Sequence, residues 1–244
     1  MSEKPTGTLR GVHEEHSILP LTDQYIDDLS EADMENIYAS IGEDRLSTFF
    51  RHTQTRREAL DLYALNAGIS KHVFELIGGF EIALRNAVSA SIAEHHQRND
   101  WYRARCFTQV LTGDRRANIR EVRKRLAIRN RSERTGRIVA GLTFHFWVAM
   151  HEKKYRDTIW TPHLNKIWPK GENLKRVHKD LLKIRDLRNR IAHFEPVFDT
   201  IWLNRVDDIW ARFDQVAPDK SAWYRHRMGD RIATSRQELS LISE

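Results

Sequence analysis

The sequence predicts an all-α protein, and three observations support that fold class. The 244 residues include only 6 prolines and 11 glycines, the residues that interrupt helices most strongly. Runs in which Val, Ile or Thr alternates with polar residues, the pattern of an amphipathic strand, are rare. Apolar residues instead recur three and four positions apart along much of the chain, which is the period of a helix with one buried face.

The length of the chain is sufficient to enclose a substantial apolar core. Residues 1–20 are polar and contain Pro5, Gly7, Gly11 and Pro20, so we expect a flexible N-terminal arm. Residues 228–244 are also polar, and we expect a C-terminal tail that frays. The intervening residues 21–227 are then predicted to form a single all-α domain.

Three short helices are predicted at the start of that domain, over residues 22–29, 30–41 and 44–52. Thr55 and Glu58 follow with the spacing of a capping box, in which each side chain accepts a hydrogen bond from the other residue's backbone amide. The helix that they begin is predicted to stop at Gly68, because glycine is common at helix ends. Ser70 is predicted to cap the next helix.

That next helix is predicted to be the centre of the fold, because apolar residues surround much of it. Gly78 and Gly79 lie in its middle, where each costs about 1 kcal/mol relative to alanine. Such a pair indicates close packing against another helix or a kink. The apolar residues are Val73, Phe74, Ile77, Phe80, Ile82, Leu84, Val88 and Ile92.

The second half of the chain predicts four further helices. A basic helix covers residues 114–131, and after a polar break an apolar helix covers residues 137–155. Residues 160–172 are predicted to be irregular because they contain Pro162, Pro169 and Gly171. A helix from about residue 172 has a clear apolar stripe, and another helix follows Pro196. The stripe consists of Leu174, Val177, Leu181, Ile184 and Leu187.

Positive charge is concentrated in the basic helix and the break after it. Residues 114–137 contain ten basic and three acidic residues, a net charge of +7, whereas the whole chain carries +6. Such a field attracts RNA or DNA, and the attraction weakens as salt is added. A solvated helix face without a partner is the alternative. The predicted RNA-binding residues are Arg116, Arg120, Arg123, Lys124 and Arg125.

Cys106 is the single cysteine, so the chain contains no intrachain disulfide, cysteine zinc cluster or CxxC redox pair. A reducing cytoplasm fits this composition. The N-terminal residues lack the apolar segment of a secretory signal, and no stretch approaches the ~20 apolar residues of a membrane span. We therefore expect a soluble, cytoplasmic protein without a membrane partner.

Motifs for cofactors and metals are also missing from the sequence. Neither GxxxxGK[ST] nor GxGxxG occurs, so nucleotide binding by a P-loop or a dinucleotide fold is not supported. The histidines form no HExxH motif and no zinc-ligand spacing. We expect no cofactor and no bound metal. The histidines considered are His95, His96, His145, His151 and His163.

The hexamer RNRIAH, residues 188–193, ends the helix that has the clear apolar stripe. Asn189 and His193 are four residues apart and share a helix face. Arg190 and His193 are three apart and also adjoin. Arg188 is five residues from His193, about 140° around a regular helix, so it meets the imidazole only through its long side chain, a helix irregularity or a second subunit.

These residue types suit the cleavage of RNA, which supplies its own nucleophile in the 2′-hydroxyl group. A histidine near neutral pH both accepts and donates a proton, and the two transfers accelerate cleavage about 10²–10⁴-fold. An arginine supplies a planar fork for the phosphate oxygens. A two-fold dimer provides two histidines from one motif, and no metal is required. The structural alternative is a histidine that interacts with the last carbonyls of its helix.

Three blocks of the sequence resemble the Abi-like (abortive infection) proteins of bacteria, which belong to the HEPN superfamily (higher eukaryotes and prokaryotes nucleotide-binding). Residues 74–92 are similar to a family helix with Glu-x-x-x-Arg near its middle, here Glu81 and Arg85. Residues 137–150 are similar to its Phe-x-Phe-Trp stretch, and residues 184–198 to its Arg-Asn-x-x-x-His element followed by a glutamate and a proline. His145 stands where many relatives carry glycine.

The resemblance implies an HEPN-like helical bundle with additional peripheral helices. It also implies a homodimeric endoribonuclease that acts as a toxin or phage-defence effector, with RNA as substrate and an antitoxin, protein or RNA, as a further partner. By position, Arg188 and His193 are catalytic and Asn189 orients the phosphate. Supporting roles fall to Glu81, Arg85 and Arg190, although an ion pair that only holds helices together explains Glu81 and Arg85 as well.

Two other function classes stay open. Some HEPN proteins bind nucleotides or partners without cleaving RNA, so a non-catalytic RNA- or protein-binding module is one alternative. A structural interaction protein whose arginines contact an acidic partner is the other, and it predicts no salt-sensitive affinity for RNA.

Overall fold

The structure is a computed structural model that describes residues 29–242, with side chains described through residue 239. Within these residues the protein is all-α and contains no strand, as the sequence predicts. The arm predicted over residues 1–20, and all but the last residue of the helix predicted over 22–29, lie outside the described residues. The helices are α1 Glu31–Ile41, α2 Glu43–Phe50, α3 Arg56–His96, α4 Arg105–Thr108, α5 Gly113–Ile128, α6 Thr135–Gly141, α7 Phe144–Ala149, α8 Leu174–Ala192, α9 Thr200–Leu203, α10 Arg205–Val216 and α11 Pro218–Ile242.

Helix α3 begins where the capping box predicts. The Thr55 side chain accepts a hydrogen bond from the amide of Glu58, and the Glu58 carboxylate accepts one from the amide of Thr55, each at 3.2 Å. The predicted stop at Gly68 and new start at Ser70 are wrong, because α3 continues without a break to His96. Ile69 is completely buried beside Gly68, so packing favours the helix more than one glycine opposes it.

The long helix α3 is the axis of the fold. It contacts α2, α7, α8, α10 and α11, and it also contacts the segment between α7 and α8. Its Gly79 lies against α11, where an added Cβ atom would stand only 2.5 Å from the Cζ atom of Tyr224. Gly79 therefore marks close helix packing, which is one of the two predicted explanations of the glycine pair.

The apolar segment predicted as one helix over residues 137–155 is divided instead. Helix α6 ends at Gly141, and α7 starts after Thr143, whose side chain accepts a hydrogen bond from the amide of Phe146 at 3.3 Å. Gly141 lies so close to Val122 of α5 that a Cβ atom there would meet its Cγ1 at 2.6 Å. The contact with α5 and the threonine cap explain why this largely apolar segment forms two short helices.

The segment before α8 is more regular than predicted. Residues Arg156–Leu164 form a π-helix with Pro162 inside it, between the 3₁₀ turns Lys153–Tyr155 and Asn165–Ile167. Among the helices of residues 29–242, none is both long enough and apolar enough to cross a membrane.

The prediction of a fraying polar tail from residue 228 is wrong through residue 242. These residues are the second half of α11, which packs along α3. Met228, Ile232, Ser235 and Leu239 are buried, with spacings of four, three and four residues. The stripe is regular but only one residue wide, which explains why the polar composition concealed it.

Candidate functional site

Helix α8 positions the RNRIAH motif at its C-terminal end. The Asn173 side chain caps the helix by accepting a hydrogen bond from the amide of Lys175 at 2.8 Å. All five residues of the predicted apolar stripe are buried, and Ile191 extends the stripe into the motif. Since that stripe faces the core, Asn189 and His193 are left on an exposed flank.

His193 is the C-cap of α8, directly after its last helical residue Ala192. Its amide donates to the carbonyl of Asn189 at 3.0 Å, while the residue as a whole is exposed. The next residue, Phe194, has a left-handed backbone (φ 56°) and a side chain that is 74% exposed. Arg45 of α2 holds this turn by donating to the carbonyl of Phe194 at 2.8 Å. The backbone after the motif is thus fixed, and the imidazole lies at the surface.

Arg188 points away from that flank and toward α3. Its guanidinium lies 5.8 Å from the centre of the Phe74 ring. Burial raises the pKa of Glu81, and the positive charges of Arg188 and Arg85 oppose that rise. The structure therefore brings Arg188 together with Glu81 and Arg85, and no contact joins Arg188 with His193 within the described chain.

Arg190 closes the turn that follows the motif. Its Nη1 atom lies 3.0 Å from Oε2 of Glu195, and its Nε donates to the carbonyl of Pro196. The guanidinium also lies 4.7 Å from the centre of the Trp202 ring. These contacts engage two of its three nitrogen atoms and one face of the guanidinium, so Arg190 shapes the turn that follows the motif.

A cluster that the sequence did not predict lies beside the motif. Arg185 is four residues before Asn189 and eight before His193, so the three share one face of α8. Nη1 of Arg185 lies 3.3 Å from Nδ1 of His145, and Nη2 of Arg115 lies 2.9 Å from Nε2 of the same ring. The cluster joins α5, α7 and α8.

The cluster of Arg115, Arg185 and His145 contains more hydrogen-bond donors than acceptors. A neutral imidazole has one acceptor nitrogen, and a guanidinium only donates, so one of the two contacts to His145 is not a hydrogen bond. Burial lowers the pKa of His145, and the two arginines lower it further. The carboxylates of Glu152 and Asp186 offset part of the positive charge of the two arginines. Glu152 lies 3.8 Å from Arg115, and Asp186 lies 2.7 Å from Arg185. From the sequence, residue spacing shows only that Arg185 shares a helix face with Asn189 and His193. Arg115 and His145 lie on other helices, so spacing does not predict their contact with Arg185.

The predicted RNA-binding residues divide between two environments. Arg116, Arg120 and Arg123 line a cavity of about 360 Å³ between α5 and the segment before it. Arg125 instead donates to the carbonyl of Gly141 at 3.2 Å, and Lys124 is exposed outside the cavity. The basic segment is thus partly a cavity wall and partly a solvated surface.

A second cavity, of about 590 Å³, lies between the junction of α1 with α2 and the turn after the motif. Its lining includes the acidic side chains of Glu43, Asp44 and Glu195 and a single cation, Arg45. Although it adjoins His193 in sequence, its acidic lining disfavours a nucleic-acid phosphate.

An apolar strip is exposed on α3 beside Arg188. Phe74 and Ile82 are 42% and 38% exposed, and Gly78 lies midway between them on the same helix face. An added Cβ atom on Gly78 would meet nothing within 4 Å. No contact inside the described chain explains a glycine at this position.

Three histidines that are distant in sequence lie together at the C-terminal end of α3. The His163 ring is 4.3 Å from that of His95 and 5.1 Å from that of His96. The rings pack on one another, and no group of three or more His, Cys, Asp or Glu residues in the described chain has a geometry that could hold a metal ion.

Comparisons of the chain with known protein families, curated proteins and solved structures found no match. The HEPN resemblance therefore depends on the three sequence blocks alone. Within the structure those blocks are α3, the α6–α7 segment and the end of α8, and α3 contacts α6, α7 and α8.

Proposed function

We propose that this protein belongs to the class of RNA-binding proteins with an acid–base site and no metal. More narrowly, we propose an HEPN-type endoribonuclease that acts in the cytoplasm as a toxin or phage-defence effector, restrained by a protein or RNA antitoxin. The observation that carries the proposal is the exposed face of α8, where His193 and Asn189 continue a line that begins at Arg185.

In the proposed reaction, His193 of one copy removes the proton of the ribose 2′-hydroxyl group. The 2′-oxygen attacks the adjacent phosphorus, and His193 of the second copy donates a proton to the departing 5′-oxygen. The products are a 2′,3′-cyclic phosphate and a 5′-hydroxyl end. Arg188 stabilises the charge on the phosphate oxygens, and Asn189 orients the phosphate.

A second copy is part of this proposal for two reasons. Arg188 faces α3 in a single chain, away from His193, so one copy does not assemble the catalytic pair. The strip of Phe74, Gly78 and Ile82 adjoins Arg188, and its two apolar side chains stay 42% and 38% exposed in the described chain. A glycine between two exposed apolar residues permits close approach of another helix, here α3 of the second copy.

The deciding experiment measures RNA cleavage in EDTA by the wild-type protein and by His193→Ala. We expect a loss of about 10²–10⁴-fold, as for removal of a general acid–base group. His226→Ala, which removes an exposed histidine of α11, is the matched control and should cleave at the wild-type rate. End-group analysis of the products should find the cyclic phosphate and the 5′-hydroxyl group.

The non-catalytic binding module is the second candidate, and the position of Arg188 favours it. If the wild-type and His193→Ala proteins bind RNA equally and neither cleaves it, that alternative replaces the nuclease. Sedimentation of both proteins at several concentrations separates a missing dimer from a missing activity.

A further inference from the structure

The cavity on α5 combines a cationic rim with an apolar floor. Arg116, Arg120 and Arg123 follow one another at spacings of four and three, so α5 directs all three to the same side. Arg103, from the 3₁₀ turn Trp101–Arg103, adds a fourth guanidinium opposite them. Tyr102 and Ile119, which are 4% and 3% exposed, lie at the bottom.

The charge of this rim is only partly neutralised. Oε1 of Glu133 accepts from Arg103 at 2.8 Å and from Arg123 at 3.0 Å, so one carboxylate holds two arginines in place. Arg116 donates to the carbonyl of Leu111, which fixes its side chain but removes no charge. Arg120 pairs with no other residue of the described chain. Four guanidinium groups and one carboxylate leave a net charge of +3.

We propose that this cavity binds a nucleotide that carries a phosphomonoester, at the phosphorylated end of an RNA strand. A phosphomonoester carries about −1.5 to −2 charges near neutral pH and three acceptor oxygens, which suits several converging guanidinium groups. The apolar floor suits the flat base or the sugar of the same nucleotide. A volume of about 360 Å³ is near the lower end for ligand cavities and favours one nucleotide over a folded RNA element.

A concave site also selects a chain end over the middle of a strand. An internal phosphodiester has one negative charge and continues in both directions, whereas a terminal phosphate enters a cavity with its full charge. The proposal rests on the proposed function for its substrate class, and it adds a reader of RNA ends that is separate from the cleavage motif on α8.

The test uses three RNAs of one sequence, with a 5′-phosphate, a 3′-phosphate or hydroxyl groups at both ends, and a free nucleoside 5′-monophosphate as a fourth ligand. Affinities are measured by titration calorimetry on the full-length His193→Ala protein, so that no RNA is cut. We expect one phosphorylated RNA to bind at least ten times more tightly than the unphosphorylated RNA. The end that is preferred, or binding of the free nucleotide, identifies the source of the phosphate.

Arg120→Gln, made in the same protein, removes a rim charge without disturbing an internal contact and should abolish the preference. Arg231→Gln, which removes an exposed charge from α11, should retain it. Equal affinities for all three RNAs, with no binding of the free nucleotide, overturn the proposal even if the wild-type protein cleaves RNA. Conversely, Arg120-dependent binding by a protein that cleaves no RNA sustains the cavity and rejects the nuclease.

Discussion

Helix α3 presents two opposite environments at two adjacent residues. At Gly79 the helix is covered by α11, and the Tyr224 ring occupies the space of a side chain. At Gly78 the surface is bare, and the exposed side chains of Phe74 and Ile82 lie one turn away on either side. Packing within the described chain explains the first glycine and gives no reason for the second, and the bare strip is the surface that the proposed dimer would cover.

We expect the largest effect on stability when the buried phenylalanine of α3 is compared with its exposed one. Phe80 is completely buried and packs edge-on against Phe144 and Phe213, with ring centres 6.3 and 6.0 Å away. Phe80→Ala should lower the free energy of unfolding by about 3–5 kcal/mol. Phe74→Ala should change it by less than about 1 kcal/mol, because that ring is partly exposed already. Urea unfolding of both variants checks the prediction.

The same pair also tests the role of the strip. Phe74→Ala should raise the dimer dissociation constant measured by analytical ultracentrifugation. An unchanged dimer in Phe74→Ala, or a monomeric wild-type protein at all concentrations, would remove the strip from the interface and with it the main support for a two-copy active site.

A smaller effect of opposite sign is expected at the two glycines. Gly79→Ala forces the Tyr224 ring to move and should destabilise the protein by about 1–3 kcal/mol. Gly78→Ala adds a methyl group in open space and improves helix propensity, so it should stabilise a single chain by up to about 1 kcal/mol. Thermal unfolding at low protein concentration measures both changes. Equal changes in the two variants would show that α3 is not asymmetric in the way described.

The sequence predicts some parts of this comparison and not others. The capping box at Thr55 is local, and it forms as predicted. Gly68 is likewise a local signal, here for a helix end, but α3 continues through it because buried neighbours such as Ile69 stabilise the helix. The close contact at Gly79 was among the predicted possibilities, although nothing local distinguishes it from Gly78.

In the candidate site, too, features within one helix are predictable from the sequence and contacts between helices are not. The face that Asn189 shares with His193 is readable from spacing, because it depends on one helix. The orientation of Arg188 toward α3 and the contacts of His145 with Arg115 and Arg185 depend on how separate helices pack. Arg190 was predicted to support the site, yet its partners are residues of the following turn.

The smallest expected effect is the pH dependence of the free energy of unfolding, which comes from the buried histidines His151 and His163. Burial lowers the pKa of His151 to about 3, and burial followed by the charges of His95, His96 and Lys166 lowers that of His163 to about 4. The unfolded chain therefore takes up protons first as the pH falls below about 6.5. Stability is complete above that pH and is lost progressively toward the two folded-state values.

Between pH 7 and pH 6 we expect a loss on the order of 1 kcal/mol from the two buried histidines together. Guanidinium unfolding at several pH values measures it. His151→Gln should have a shallower pH dependence than the wild-type protein, while His226→Ala, an exposed control, should follow the wild-type curve. A wild-type protein that is equally stable at pH 7 and pH 5 would contradict the burial of these rings.

Gly78 lies two residues from the midpoint of α3, a helix of 41 residues and therefore about 60 Å long. Two copies of α3 that touch at Gly78 would cross near their midpoints. The capped N-terminus and the histidine-rich C-terminus of each helix would then lie some 30 Å from the crossing point. A rotation at the crossing displaces the ends of α3 more than its centre, so in the proposed dimer the crossing angle would set the distance between the two proposed RNA-end sites.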